Sequence, residues 1–354
     1  MSIHTKIPAM KEINDEIVFS IDDIPEPENL EDVIYTLMVN PNLSTINYFN
    51  DFSDPSLYPS DPENLDSDET GIFQLEDSDQ FLAMTTHAFH HHLADNPQMA
   101  TEMMVSRAAR KMVCSGAEPK VAGAFLYHID FGDPQGHFIA SGARRGLEHA
   151  ATQFNLKISD RKIRFDYFKG HAPVPPTIII SMLGCVEKGI QVTRHDFKNK
   201  GNNIFLIGKQ YNDINASEYL EFYHGVSHSP LPVFDIGREI EIQNALKLLH
   251  RRNLLSSASP VGKGGLFFTL LRAGFLNNLG FDITTDAEIR KDAFLFGESM
   301  GRVLVDIHPD NEDEFVDLLS DLKIPFFMLG HITKGEIRID DHSLGFIGRM
   351  SGSL

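Results

Sequence analysis

The sequence predicts an α+β protein (mixed α/β) that is built in two lobes. Its 354 residues, of which 42% are hydrophobic, suffice for about two domains with a large core. Segments with strand and helix patterns follow one another without a strict βαβ repeat, which is typical of this class. A polar link at residues 191–202 separates two such sets of segments. We therefore expect an N-terminal domain at 66–190 and a C-terminal domain at 200–350, preceded by an acidic, linker-like leader at 1–65.

Helices are predicted where apolar residues recur every three to four positions between suitable end signals. Residues 97–115 are the clearest case, because Pro97 suits the first helical position and Gly116 the position after the helix. Near the other end of the chain, Asn311 is expected to cap a helix, with Glu314 in the capping-box position. Helices are also predicted at 30–38, 139–154, 239–255, 264–279 and 312–323, with a helix start at 217–224.

Strands are predicted where β-branched and aromatic residues are dense. Residues 177–186 are the strongest candidate in the first half of the chain. The remaining predicted strands lie at 71–75, 81–85, 122–129, 203–208, 302–307, 325–329 and 336–339.

The negative charge is concentrated at the start of the chain. The formal net charge is −19, and residues 1–80 hold 19 of the 50 acidic residues but two of the 31 basic residues. No basic surface for nucleic-acid binding is therefore expected, and the acidic start would be repelled by anionic lipid. No apolar stretch approaches the roughly 20 residues of a membrane span. Cys114 and Cys185 lie in apolar local sequence and are expected to be reduced, packed thiols of a cytoplasmic protein.

A short glycine cluster, Gly262-Lys263-Gly264-Gly265, opens the apolar helix predicted at 264–279. Backbone amides at a glycine-rich helix start can bind phosphate, because unpaired N–H groups and the helix dipole both favour an anion. The glycines could equally serve close packing of the helix against a sheet. Both interpretations stay open at this point.

A histidine cluster could bind a transition metal. His87 and His91 would share one face of a helix at a spacing of four residues, and zinc accepts such ligands. The alternative is a polar loop after a strand, which we favour because no second group of ligands follows at a metal-binding spacing.

Longer segments resemble a known family. Residues 256–266, which contain the glycine cluster, resemble the "AHDVSDGGL" motif of formylglycinamidine ribonucleotide synthase, a member of the aminoimidazole ribonucleotide synthase-like superfamily. Residues 295–299, followed by Arg302, resemble its "LFSES…R" segment, and Ser217-Glu218-Tyr219 resembles its "GGSEY". Residues 116–119 and 131–134 are similar to "GAxP" and "NFGNP". All keep the family's order and resemble the second half of that enzyme.

The resemblance implies a fold, a ligand and partners. The N-terminal lobe would contribute a sheet that forms a barrel with a second copy, so the chain would be a homodimer. The C-terminal lobe would be a layered α/β domain, and ATP or ADP would bind between the lobes or across the dimer. A nucleotide or phosphorylated small molecule is the implied ligand, and a partner subunit of the purine pathway is a further implied partner. The implied binding residues are Gly262, Lys263, Gly264, Gly265, Glu298, Ser299, Lys111 and Arg107.

The sequence departs from the family at positions that matter for a metal. Pro260 and Lys263 stand at the two aspartates of the "AHDVSDGG" motif, and His87 stands where a further acid is expected. Arg107 and Lys111 replace an acid and an asparagine of a helical pattern. Mg²⁺ prefers carboxylate and amide oxygens, so these exchanges argue against Mg²⁺, whereas cations can neutralise phosphate directly.

Three hypotheses follow. The first is a divergent relative that binds a nucleotide or phosphate ligand with weak or no ligase activity. The second is an active ATP-dependent ligase that converts an amide into an amidine and needs partner subunits. The third is a metal-binding protein that uses the histidine cluster. The sequence assigns no catalytic residue.

Overall fold

The computed structural model describes residues 20–43, 70–75, 80–89, 92–130, 132–166, 175–226 and 228–350. These residues form two sheets covered by helices, which confirms the predicted fold class and its two lobes. The helices are α1 (Leu30–Met38), α2 (Pro97–Cys114), α3 (Pro134–Gln153), α4 (Ile236–Arg251), α5 (Gly265–Phe275), α6 (Lys291–Phe296), α7 (Glu312–Asp321) and α8 (Ile347–Met350), with a π-helix at Tyr219–Tyr223. The strands are β1 (Gly71–Gln74), β2 (Phe81–Phe89), β3 (Ala117–Asp130), β4 (Lys157–Asp166), β5 (Thr177–Val186), β6 (Asn203–Ile207), β7 (Ser257–Pro260), β8 (Gly280–Ile283), β9 (Val303–Ile307), β10 (Phe326–Thr333), β11 (Glu336–Ile339) and β12 (His342–Phe346).

The N-terminal lobe is a five-stranded sheet in the order β1-β2-β5-β3-β4, with α2 and α3 packed on one face. Alternate residues of β5 point to opposite faces, as the strand period of two requires. Ile178, Ile180 and Met182 are buried together with the apolar residues of the two helices. The buried face of this sheet therefore fixes where α2 lies.

The other face of the same sheet is apolar and open to solvent in the single chain. Met84 lies opposite Leu183 across β2 and β5, and Phe73 follows on β1 opposite Leu82. The exposed fractions of Phe73, Met84 and Leu183 are 53%, 46% and 39%. Large apolar side chains exposed side by side are characteristic of interaction surfaces.

The C-terminal lobe is a seven-stranded sheet in the order β12-β11-β8-β10-β6-β9-β7 between two helical layers. Residues of β6 alternate between the layers, with Ile204 and Leu206 on one side and Phe205 and Ile207 on the other. Helices α5 and α6 contribute to the first layer, and α4 and α7 contribute to the second. The almost wholly buried α5 confirms the predicted apolar helix, although it ends at Phe275.

The segment that precedes the N-terminal lobe packs on the C-terminal lobe. Four residues of α1 and Leu43 are buried in the core that contains α5. The Arg290 guanidinium donates to the carbonyl oxygens of Ile21 and Ile24 at 2.7 and 2.8 Å and forms an ion pair with Asp292. The described part of the predicted leader, residues 20–43, is therefore an integral part of the C-terminal lobe. Residues 1–19 and 44–69 lie outside the described residues.

Some element predictions differ from the structure. Strand β4 was not predicted, because most of its residues are charged and it lies at the edge of the sheet, where such residues are tolerated. Asn311 occupies the cap position of α7, but its side chain makes no capping hydrogen bond. Among the described residues, no helix combines the length and the apolar character needed to cross a membrane.

Candidate functional site

The glycine cluster forms a tight loop between β7 and α5. Gly264 and Gly265 have φ angles of +77° and +70°, which favour glycine. A Cβ atom on Gly265 would lie 2.6 to 2.7 Å from the backbone of residues 295–297, whereas one on Gly262 would have no neighbour closer than 4.0 Å. Of the two interpretations of the glycines, the structure supports close packing at Gly265.

The anion at the start of α5 is a carboxylate of the chain itself. Glu298 Oε1 accepts hydrogen bonds from the backbone amides of Gly264 at 2.9 Å and Glu218 at 2.8 Å. The amide of Gly265 donates to the carbonyl oxygen of Gly262. Because the amides of Gly264 and Gly265 are both used, a phosphate could reach them only by displacing these partners. Both glycine amides at the start of α5 are therefore already hydrogen-bonded within the chain.

Burial dominates the electrostatics of Glu298, whose side chain is 6% exposed. Burial raises the pKa of Glu298, and the positive charge of Arg107 opposes that rise. Arg107 of the N-terminal lobe therefore lies near Glu298 of the C-terminal lobe, and Glu298 in turn binds the glycine loop. The site prediction grouped these residues together.

Lys263 forms an ion pair with Glu218. Its Nζ atom lies 3.2 Å from Glu218 Oε1, and its side chain is 41% exposed. Glu218 Oε2 accepts from the side-chain amides of Asn40 at 2.8 Å and Asn42 at 3.1 Å. Burial alone would raise the pKa of Glu218, but Lys263 and the two asparagines hold it below its usual value. The carboxylate therefore has charged or amide donors on both oxygens.

Helix α2 carries the other predicted cations into the interior. Lys111 is 8% exposed, and Arg107 is half-buried with its guanidinium 3.8 Å from the sulfur of Met300. Neither residue belongs to a solvated helix face. Buried cations of this kind must be compensated by nearby acids or by a bound anion.

Ser299 is engaged in a separate network. Its hydroxyl donates to Asp213 Oδ2 at 3.0 Å, and the same oxygen accepts from the amide of Val233 at 3.0 Å. Arg302 is fully buried and donates to the carbonyl oxygens of Gly297 and Ser299. Burial lowers the pKa of Arg302 to about 10. These bonds fix the loop that presents Glu298.

A buried ion pair joins the two lobes beside this site. Arg110 of α2 pairs with Glu239 of α4, and the two side chains are 0% and 1% exposed. Gln243 donates to the carbonyl oxygen of Ser106 at 3.2 Å, which adds a second link between the same helices. Arg110 also contacts the Met300 sulfur at 3.8 Å. The relative position of the two halves of the site depends on these contacts.

The residues that sequence reasoning missed are those supplied from far along the chain. Asn40 and Glu218 are 178 positions apart, and no local pattern connects them. Asp213 and Glu239 have no motif signal either. A shallow cleft next to Glu239 was also unforeseen, and it is lined by Lys209, Tyr211, Arg238, Met300 and Gly301 among others.

The histidine prediction is not supported by the local geometry. His87 lies in strand β2, so the helical spacing that would pair it with His91 does not apply. His91 itself lies outside the described residues. His92 pairs with Asp95 at 3.6 Å. In the part of the chain that the structure describes, no three His, Cys, Asp or Glu side chains are grouped to hold a metal.

The same donor analysis applies to Mg²⁺ at the glycine loop. A magnesium ion needs free carboxylate oxygens in octahedral geometry. Glu218 is paired with an ammonium group and two amides, and Glu298 accepts two backbone amides. Both oxygens of Glu218 and Oε1 of Glu298 are therefore already occupied, and this arrangement does not fit a Mg²⁺ ion held by the two carboxylates together.

The fold defines a two-lobed α+β module, and comparison with known families identifies its class. Residues 67–186 match the N-terminal domain of the AIR synthase related proteins, and residues 199–342 match their C-terminal domain. The chain therefore belongs to the AIR synthase related family, and the predicted resemblance is confirmed.

Individual members of that family resemble the chain over most of its length. The chain is 29% identical over 303 residues to the phosphoribosylformylglycinamidine synthase subunit PurL of Leuconostoc mesenteroides, covering 84% of this chain and 40% of the relative. It resembles the solved structure of T. maritima PurL complexed with FGAR, with a TM-score of 0.74, 14% identity and coverage of 92% and 54%. T. maritima PurL complexed with ATP matches with a TM-score of 0.65, 14% identity and coverage of 80% and 46%. The structural matches show the fold alone, and the chain spans less than half the length of the curated relatives.

Proposed function

We propose that this chain is a nucleotide- or phosphate-binding module of the phosphoribosylformylglycinamidine synthase type, with weak or no ligase activity of its own. It would act in purine biosynthesis in the cytoplasm. The related phosphoribosylformylglycinamidine synthase subunits support the reaction context, and the related structures complexed with ATP and with FGAR support the ligand class.

The observation that carries the proposal is the state of the two carboxylates at the glycine loop. Both oxygens of Glu218 and one oxygen of Glu298 accept from donors of the chain itself, while Lys263 and Arg107 lie beside them as cations. A phosphate would bind here by sharing the ammonium group of Lys263 with Glu218, since the lysine side chain is 41% exposed, and by contacting Arg107. The proposed ligand contacts are therefore Lys263 and Arg107, with Lys111 one helical turn further along α2.

The second candidate is an active ATP-dependent ligase that works with partner subunits. The names of the curated relatives favour it, because each is a subunit of phosphoribosylformylglycinamidine synthase. In that case the carboxylate arrangement would have to change when the partner binds.

Thermal melting and phosphate release separate the two candidates. We expect ATP and ADP to raise the melting temperature of the isolated protein equally in EDTA and in Mg²⁺, with no phosphate released from ATP. A rise that requires Mg²⁺, together with phosphate release, would instead support the ligase. No shift with either nucleotide would contradict nucleotide binding altogether.

We also propose that two copies pair through the apolar face of the N-terminal sheet. Phe73, Met84 and Leu183 give that face its exposed apolar surface, and burial of such surface drives association. Light scattering after size-exclusion chromatography should show a dimer for the wild type and a monomer for Leu183→Glu. The matched change on another exposed apolar residue, Leu276→Glu, should leave the dimer intact. A wild-type monomer at micromolar concentration would contradict this pairing.

A further inference from the structure

Two buried glutamates meet at the glycine loop. Burial raises the pKa of Glu298, and the negative charge of Glu218 raises it further. Glu218 and Glu298 are each 6% exposed, and the backbone amide of Glu218 donates to the Glu298 carboxylate at 2.8 Å. Like charges held together in the interior repel each other unless a cation compensates them. Proteins often meet this need with a bound divalent ion.

Here the compensating cation belongs to the chain. Lys263 lies directly before Gly264, whose amide binds Glu298, and its ammonium group lies 3.2 Å from Glu218. The side chain of Lys263 thus contacts the Glu218 carboxylate, while the backbone amide of the next residue, Gly264, binds the Glu298 carboxylate. On the far side, Asn40 and Asn42 donate to the second oxygen of Glu218 and prevent it from turning away from the lysine.

We propose that Lys263 is a built-in counter-ion that takes the role of a divalent metal, so that the glycine loop keeps its structure without any metal. The anionic ligand of this site would then bind without a metal ion. This statement about the ligand rests on the proposed function. The counter-ion role itself concerns the protein without nucleotide and can be tested separately.

The test measures melting temperatures with metal ions alone, in EDTA, 10 mM Mg²⁺ or 1 mM Mn²⁺, and without nucleotide. We expect the wild type to melt at the same temperature in all three. Lys263→Met should melt at least about 2 °C lower in every buffer, because the buried carboxylate of Glu218 loses its cation while the charge of Glu298 stays nearby. The double variant K263M/E218Q should recover most of that loss, since it removes one of the two negative charges.

Charge reversal gives the second arm. Lys263→Asp places a third carboxylate at the loop, and we expect Mn²⁺ and Mg²⁺ to raise its melting temperature well above the value in EDTA. Lys334→Asp, at an exposed turn between β10 and β11, is the matched control and should not respond to metal. A wild type that is itself stabilised by Mg²⁺, or a Lys263→Met variant as stable as the wild type, would overturn the inference. If the protein failed to bind nucleotide, the melting temperatures measured with metal ions alone would still test the counter-ion role. The two proposals can therefore fail separately.

Discussion

Replacement of Arg110 by methionine is expected to destabilise the protein by about 3–5 kcal/mol. The change leaves Glu239, which is 1% exposed, as a buried carboxylate without its guanidinium partner. Loss of one member of a buried pair costs far more than the pair itself contributes, because the remaining charge keeps its full desolvation penalty. Equilibrium unfolding in urea would measure the difference in the free energy of unfolding.

Two controls separate the buried pair from a general charge effect. The double variant R110M/E239L should recover much of the loss, since it removes the stranded carboxylate together with its partner. Arg238→Met removes one member of the Arg238–Glu241 pair on the same helix, where the side chains are 59% and 53% exposed, and should cost at most about 1 kcal/mol. Equal losses for Arg110→Met and Arg238→Met would show that the link between α2 and α4 has no special weight.

Gly265→Ala is expected to cost about 2–5 kcal/mol of folding free energy. The residue has a φ angle of +70°, and its new methyl group would lie 2.6 to 2.7 Å from backbone atoms that cannot rotate away. Conformational strain and overpacking add in this case. The loop that Glu298 stabilises would shift, so nucleotide affinity should fall along with stability.

Gly262→Ala is the matched control three residues earlier in the same loop. A methyl group there has space around it, and the stability should change by less than about 1 kcal/mol. If both alanine variants unfolded at the same urea concentration, the close contact between Gly265 and the backbone of residues 295–297 would not determine stability.

The elements with strong local signals were predicted well. Helix α2 begins at Pro97, as predicted, and ends at Cys114, one residue before the predicted end. The agreement is close because a proline at the first helical position and a glycine after the last are local signals. Strand β5 was predicted with its bounds, since its dense β-branched residues need no information from elsewhere. Strand β4 was missed because an edge strand tolerates charges that hide its pattern.

The site shows where local information ends. The resemblance predicted that the glycine loop, Glu298 and Arg107 belong to one binding site, and the structure places Glu298 on the glycine loop. The sequence could not show that Glu298 itself would fill the anion position at α5, nor that Asn40 would cross to the C-terminal lobe and bind Glu218. Both facts depend on tertiary packing between segments far apart in the chain.

Isothermal titration calorimetry with ADP tests the central claim, which is that this site binds an anion through cations of the chain without a metal. We predict dissociation constants in EDTA and in Mg²⁺ that agree within about threefold. A dissociation constant at least tenfold lower in Mg²⁺ than in EDTA corresponds to about 1.4 kcal/mol of binding free energy. Such a result would show that the metal ion mediates phosphate binding and would contradict the account.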